Sequence, residues 1–341
     1  MMKPKTLTMT KINQIWEELA TDISFTKGLI MRRYSRSVLP DIFVAIQQPE
    51  KLLCIASSIS ESIEINTLHF DNLQDIQIEL IPDPNQKGKN TLLFKLNNNL
   101  HKDIFSVLCE DLINSIASET KEKQLVKTIL NRFEKWKLLF TKIVSDGLLP
   151  EEQRGLFGEL YFLRKFLQVN NNFQFVLNTW IGTAGEIRDF QMNNWALEVK
   201  TTYGNNHQKI QISSERQLDN TNLGNLFLYH LSLEKAQESG ESLNQIINSI
   251  NSLLTTDVVA LNRFKLKLYE AGYFEQHIDL YDPIGYFIRK DTFYLVENEF
   301  PRIQENDIRS GVGDVKYSII LSQCETFKTT EQFIFETLIT Q

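Results

Sequence analysis

Residues 188–200, Arg-Asp-Phe-Gln-Met-Asn-Asn-Trp-Ala-Leu-Glu-Val-Lys, constrain this chain more than any other stretch. Arg188–Met192 and Trp195–Thr202 both have strand composition. Asn193-Asn194 between them suits a two-residue turn, because Asn tolerates positive φ. A turn there sets Met192 opposite Trp195 and, counting outward, Asp189 opposite Glu198, with Cβ atoms roughly 5 Å apart. Side chains alternate along a strand, so Ala196, Glu198 and Lys200 share one face, while Trp195, Leu197 and Val199 supply a buried side. Two carboxylates set face to face repel, and a fold that keeps them requires a cation between them. The plainer alternative is a solvated hairpin face with a cross-strand salt bridge.

The upstream segment Glu151–Gln168 places Leu156, Leu160, Leu163 and Leu167 at the spacing of one helical face. Glu159 falls inside that stripe, where a carboxylate is costly unless it is paired or binds a metal. Gly155 and Gly158 would let this helix approach a sheet closely. Glu159 is therefore a candidate third metal ligand facing the hairpin. Two other roles stay open for it: a helix acid favoured by the dipole, or a partner for Lys200 without a metal. Glu186 is the nearest rival carboxylate, and its strand parity turns it away from Asp189.

Taken together, these residues carry a resemblance. Glu159 on a helix, Asp189 on a strand and Glu198-Val199-Lys200 on the next strand resemble the core of the PD-(D/E)XK nuclease superfamily. More closely, Arg154–Leu160, Arg188-Asp189-Phe190, Glu198–Thr202 and Phe300-Pro301-Arg302-Ile303 are similar to a prokaryotic family called PD-(D/E)XK motif proteins. The similarity spans most of the chain from about Trp136 onward. It implies an α/β restriction-endonuclease-like core, a central mixed sheet flanked by helices. It also implies Mg²⁺ dependence and DNA cleavage in a phage-defence setting. Carried over residue by residue, it makes Asp189 and Glu198 the ligands of Mg²⁺, or of Mn²⁺ in its place. The backbone carbonyl of Val199 joins them, as does Glu159, directly or through water. Lys200 then orients the attacking water or contacts the phosphate. The one departure is Arg188, which stands where the motif name has Pro.

Three residues are weaker candidates for substrate contact. Related nucleases position nucleotide with a polar residue where Gln217 stands here, although Ser214-Glu215-Arg216-Gln217 also spells a capping box that needs no function. Arg188 and Thr201 flank the core motif. A second reading of the whole is a catalytically silent DNA-binding or assembly subunit. The intact set Glu159, Asp189, Glu198 and Lys200 argues against it.

Composition adds limits. The net charge of −7 does not advertise a nucleic-acid binder. From Glu151 to Gln217, however, seven bases balance seven acids, and a metal on Glu159, Asp189 and Glu198 leaves seven bases against four acids. Cys54, Cys109 and Cys324 are odd in number and far apart, which fits reduced thiols in a cytoplasmic protein. No apolar run approaches the roughly 20 residues that span a bilayer, so no membrane is expected. Met1–Lys5 is not followed by a secretory core segment. No Walker-type loop is present, so energy coupling falls to a partner. An operon-encoded ATPase or methyltransferase, or a second copy of the chain, is the expected partner beside DNA. The literal dipeptides Pro40-Asp41 and Pro82-Asp83, and Glu119-Thr120-Lys121, lie on no strand pair and are set aside.

The organisation expected is an N-terminal α/β domain over 1–118, a bridging helix over 119–147, the nuclease core over 148–240 and a C-terminal α/β extension over 241–341. Strands are expected at Ile63–Leu68 and near Gln174–Leu177, a helix after Ser214, and a hairpin at Gly285–Lys290 and Thr292–Val296 around Asp291. Arg32-Arg33-Tyr34-Ser35-Arg36 is read as a solvated loop.

Overall fold

Two largely apolar stretches, Ile42–Ile46 with Leu52–Ala56 and Leu226–Leu233, supply central strands of two sheets. The computed structural model describes residues 11–22, 26–65, 75–83, 86–143, 147–204 and 208–340. Contacts divide the chain into a unit over 1–145 and a unit over 146–341.

In the first unit, helix α1 (Lys11–Ala20) precedes strands β1 (Gly28–Arg33), β2 (Ile42–Gln48), β3 (Leu52–Ser60), β4 (Ile76–Pro82) and β5 (Lys89–Leu96). Helices α2 (Lys102–Ile116) and α3 (Glu122–Ile143) follow. The strands form an antiparallel sheet in the order β1-β2-β3-β5-β4. Trp16 of α1 stacks on Phe105 of α2 at 5.6 Å, and its Nε1 donates to the carbonyls of Ala45 and Cys54, both at 3.1 Å. The buried Glu110 accepts from Ile12 N at 2.9 Å and Tyr34 Oη at 2.6 Å, tying the start of α1 to the end of β1. Arg132 and Trp136 of α3 both donate to Asp111 of α2, at 2.6 and 3.0 Å. Two expectations are corrected here. Arg32 and Arg33 lie in β1, paired with Glu18 and with Asp41 at 3.2 Å, so only the rest of that cluster is loop. Residues 63–65 are not strand, and 66–68 lie outside the described residues.

The second unit begins with α4 (Pro150–Val169) and α5 (Phe173–Thr179). It continues through β6 (Phe190–Gln191), β7 (Trp195–Tyr203), β8 (Lys209–Ile212), β9 (Asn225–Gln237), β10 (Glu241–Ser242), α6 (Leu243–Leu253), α7 (Val258–Glu270) and α8 (Ile278–Tyr281). Last come β11 (Ile284–Leu295), β12 (Tyr317–Ile320), β13 (Lys328–Thr329) and α9 (Glu331–Ile339). The main sheet runs β10-β11-β9-β7-β6, with β13 also on β11; β7 and β9 are parallel and the other pairs antiparallel. Alternation along β7 and β9 builds two cores. Trp195, Leu197, Val199, Phe227, Tyr229 and Leu231 pack under α4, α6 and α7. Ala196, Leu226 and Leu228 pack under the two-stranded β8–β12 ribbon with Ile210, Ile212 and Ile319. The sheet is thus covered on both faces.

Three expectations in this unit are overturned. Gln174–Leu177 lies in helix α5: Asn172 accepts from Phe175 N at 3.1 Å and caps its start, which outweighs the strand-like composition. The hairpin around Asp291 is one strand, β11. It pairs with β9 along its length and absorbs the irregularity as a bulge between Ile288 and Lys290. After Ser214 there is only a four-residue 3₁₀ turn, Glu215–Leu218. The segment after residue 240 supplies β10, β11 and β13 of the main sheet, and α3 packs within the first unit.

Gly158 sets how close α4 comes to β7, because a Cβ there would lie 2.3 Å from Thr201 Cγ2. Gly155 faces open space. Gly158→Ala is expected to destabilise by about 1–3 kcal/mol through overpacking. Gly155→Ala is expected to be neutral or to stabilise by up to about 1 kcal/mol. Chemical denaturation of the two variants checks the pair; equal effects would refute this account of the helix–sheet approach.

Candidate active site

The hairpin register read from the Asn193-Asn194 turn is the one found. Phe190 pairs with Leu197, Gln191 with Ala196, and Met192 N donates to Trp195 O at 2.9 Å. Strand β6 is shorter than expected. Trp180 bridges to Phe190, and the N–H groups of Ile181 and Gly182 both donate to the carbonyl of Asp189 at 2.8 and 3.0 Å, drawing the chain out of the ladder. The Asp189 side chain completes the ladder instead: Oδ2 accepts from Val199 N at 2.7 Å. Ile181 and Gly182, at the start of a short 3₁₀ turn, are folded against this acid. A Cβ on Gly182 would sit 2.9 Å from Asp189 Oδ1.

Glu198 is 1 % exposed, so the plain reading of a solvated hairpin face fails. Its Oε1 is 2.6 Å from Lys200 Nζ, and its Oε2 is buried with no hydrogen-bond partner among the described residues. Glu159 comes from α4, and its Oε2 accepts from Trp180 Nε1 at 2.7 Å. Trp180 is fully buried, and Lys267 of α7 donates to its carbonyl while lying 5.9 Å from its ring centroid. Trp180 and Lys267 were not read from the sequence; each is joined to Glu159 or Asp189 through segments with no sequence pattern in common. Among the described residues, no three His, Cys, Asp or Glu side chains converge as a metal-ligating group. Glu159 is drawn to Trp180 rather than into a three-carboxylate cluster.

The weaker candidates separate. Gln217 reaches the site: its Oε1 accepts from Lys200 Nζ at 3.2 Å and from Ser213 N at 2.9 Å. It closes no capping box with Ser214, whose hydroxyl accepts from Arg216 N instead. Arg188 is committed inward, to the carbonyls of Arg216 and Gln217 at 3.0 and 3.2 Å and to that of Asp219. Thr201 turns its methyl toward Gly158 on α4, away from the face of Lys200. Glu186 is exposed.

Electrostatics follow from this burial. Burial pushes the Glu198 carboxyl up to about 8; Asp189 adds to the rise and Lys200 opposes it. Burial and then the charge of Asp189 push Glu159 well up, against the Trp180 N–H. Asp189 is raised by burial, against Lys200 and the Val199 N–H. Burial opposes the Lys200 charge, yet Glu198 and Asp189 outweigh it and raise its pKa. A carboxyl raised on folding contributes stability that is full below its unfolded pKa and is lost as pH rises through the folded value. For Glu198 that window runs from the ordinary 4.5 to about 8. Metal-free protein is therefore expected to melt at a lower temperature at pH 8 than near pH 5, and Glu198→Gln to flatten that slope. Equal slopes in the two proteins, read by calorimetry in EDTA, would contradict this electrostatic picture.

A helix acid, a strand acid, a second acid just before β6 and a lysine around a mixed sheet are consistent with the PD-(D/E)XK-like fold expected above. A family model described as "Putative PD-(D/E)XK family member, (DUF4420)" matches residues 12–322, and so takes in the first unit as well as the motifs after Trp136. No curated protein and no solved structure matches the chain. With nearly its whole length matched, the chain belongs to this PD-(D/E)XK family, DUF4420.

Proposed function

We propose that this chain is a metal-dependent nuclease that hydrolyses phosphodiester bonds in DNA within a prokaryotic defence system. The observation that carries the reading is the orphaned Oε2 of Glu198, a buried carboxylate oxygen beside a second acid. An unpartnered buried oxygen is costly, and a divalent cation would relieve it. The donors fit such an ion, because carboxylate and carbonyl oxygens suit Mg²⁺ or Mn²⁺. Asp189 and Glu198 would hold it with the Val199 carbonyl, which leaves β7 on the same edge as the N–H that Asp189 accepts. Glu159, engaged with Trp180, would act from outside through water. Bound there, the ion supplies Lewis acidity to the phosphate and lowers the pKa of a bound water.

The protein's own groups do the rest. Lys200 keeps its ammonium beside Glu198 and presents a compact charge suited to a phosphate oxygen. Gln217 and Glu198 hold that ammonium from two sides. Sheet and ribbon together exclude water from the Glu198 side, which strengthens each of these interactions. Free, buried Cys54, Cys109 and Cys324 suit a reducing cytoplasm. Among the described residues no helix is long and apolar enough to cross a membrane. An operon-encoded ATPase or methyltransferase, or a second copy of the chain, completes the proposed setting.

Purified protein, with operon partners if required, is expected to cut DNA with Mg²⁺ or Mn²⁺ and to stop with EDTA. Lys200→Ala is expected to lower cleavage about 100-fold or more without unfolding the chain. Asp189→Asn keeps an acceptor for Val199 N and removes one like charge, so the metal-free variant is expected to melt slightly above wild type. Mn²⁺ is expected to raise the melting temperature of wild type by mass action and of Asp189→Asn much less. If Mn²⁺ moves neither protein and Lys200→Ala cuts as well as wild type, the cleavage comes from another protein and the chain is a silent subunit instead.

A further inference from the structure

The turn that carries Gln217 ends in four successive backbone carbonyls, those of Arg216, Gln217, Leu218 and Asp219. A guanidinium donates to every one of them. Arg188 takes three: Nη2 donates to Arg216 O at 3.0 Å and to Asp219 O, and Nε to Gln217 O at 3.2 Å. Arg302 takes the fourth, with Nη1 donating to Leu218 O at 2.9 Å and to Val296 O at 3.4 Å. Carbonyls at the end of a helical turn otherwise turn to water or to whichever side chain is near. A planar fork can serve several at once, which a lysine cannot. The turn is tied down elsewhere too. Asp219 accepts from Thr221 N at 2.8 Å and from Glu305 N at 3.1 Å, and Glu215 accepts from Val315 N at 2.7 Å. What this fixed turn projects is one amide oxygen, Gln217 Oε1, placed between Ser213 N and Lys200 Nζ.

We propose that Arg188 and Arg302 are positioning residues for Lys200: they fix the 215–219 turn so that Gln217 Oε1 and Glu198 Oε1 together hold the ammonium in one place. This gives a role to Arg302, from the Phe300–Ile303 segment, and to Arg188, which stands where the motif name has Pro. Its catalytic consequence rests on the nuclease reading; the placement of Lys200 does not, and is measured apart from cleavage.

The test is the rate at which a small acylating reagent modifies Lys200 in the folded full chain at one fixed pH. It is read by mass spectrometry against the exposed Lys209. Arg302→Gln and Gln217→Leu are each expected to speed modification by roughly three- to tenfold. The double variant should be no faster than Gln217→Leu alone, because the two changes act through one contact. Arg302→Lys keeps the charge but loses the fork; it should recover part of the slow rate, and it serves if the neutral variant does not fold. An unchanged rate in Arg302→Gln, effects that add in full, or failure of both arginine variants to fold would each overturn the proposal in favour of a clamp that serves the fold alone. In DNA cleavage with Mn²⁺, Arg302→Gln is expected to lower kcat about tenfold at unchanged KM. A wild type that cuts nothing removes the nuclease reading while the labelling cycle still decides the positioning.

Discussion

Glu198 sits on β7, near the edge of a sheet covered on both faces, and most of what is distinctive in the second unit answers to its burial. A carboxylate there loses its hydration, and the loss must be met locally or by a proton. Lys200, two residues along the same face, meets it at one oxygen. The other oxygen has no hydrogen-bond partner among the described residues. Asp189 and Glu159 add negative charge where desolvation already opposes it. The arrangement is poor as a structural salt bridge, and that is what supports the cation proposed above.

The edge of the sheet is shaped by the same demand. Strand β6 pairs for only two residues before Trp180 and the 181–185 turn pull the chain aside. That departure frees the Val199 N–H, and the Asp189 carboxylate takes it. An acid that accepts a ladder hydrogen bond is held at a fixed depth beside β7, close to Glu198 in charge yet not stacked on it. On the helix side, Gly158 lets α4 press on Thr201, which brings Glu159 within electrostatic reach of both acids.

How much of this could be read from the residues depended on distance along the chain. The hairpin register followed from two asparagines and a period of two, both local, and it held. Glu159 could be placed on a buried helical stripe, but not against Trp180, because the tryptophan comes from an irregular segment with no periodicity. Gln217 was suspected and its partners were not: a capping-box spelling pointed it at Ser214, whereas its oxygen goes to Ser213 and Lys200. Arg188 read as a substrate contact because a lone basic residue beside an active site invites that. In the structure its guanidinium donates to carbonyls, which sequence does not display. Composition misled at Gln174–Leu177 and at Asp291, where a helix cap and a long pairing partner decided the outcome.

The clamp also has a consequence in time. Arg302 and the strands β11 and β13 leave the ribosome long after Lys200 does, and domains generally acquire their packing as units. Until that last third has folded back, the Gln217 turn lacks one of its two arginines and the main sheet lacks β11, its second neighbour to β9. A nascent or truncated chain carries all the acids and the lysine but not the frame that aims them. Under the proposed nuclease function, a frame that arrives after the acids and the lysine would act as a safeguard built into chain order.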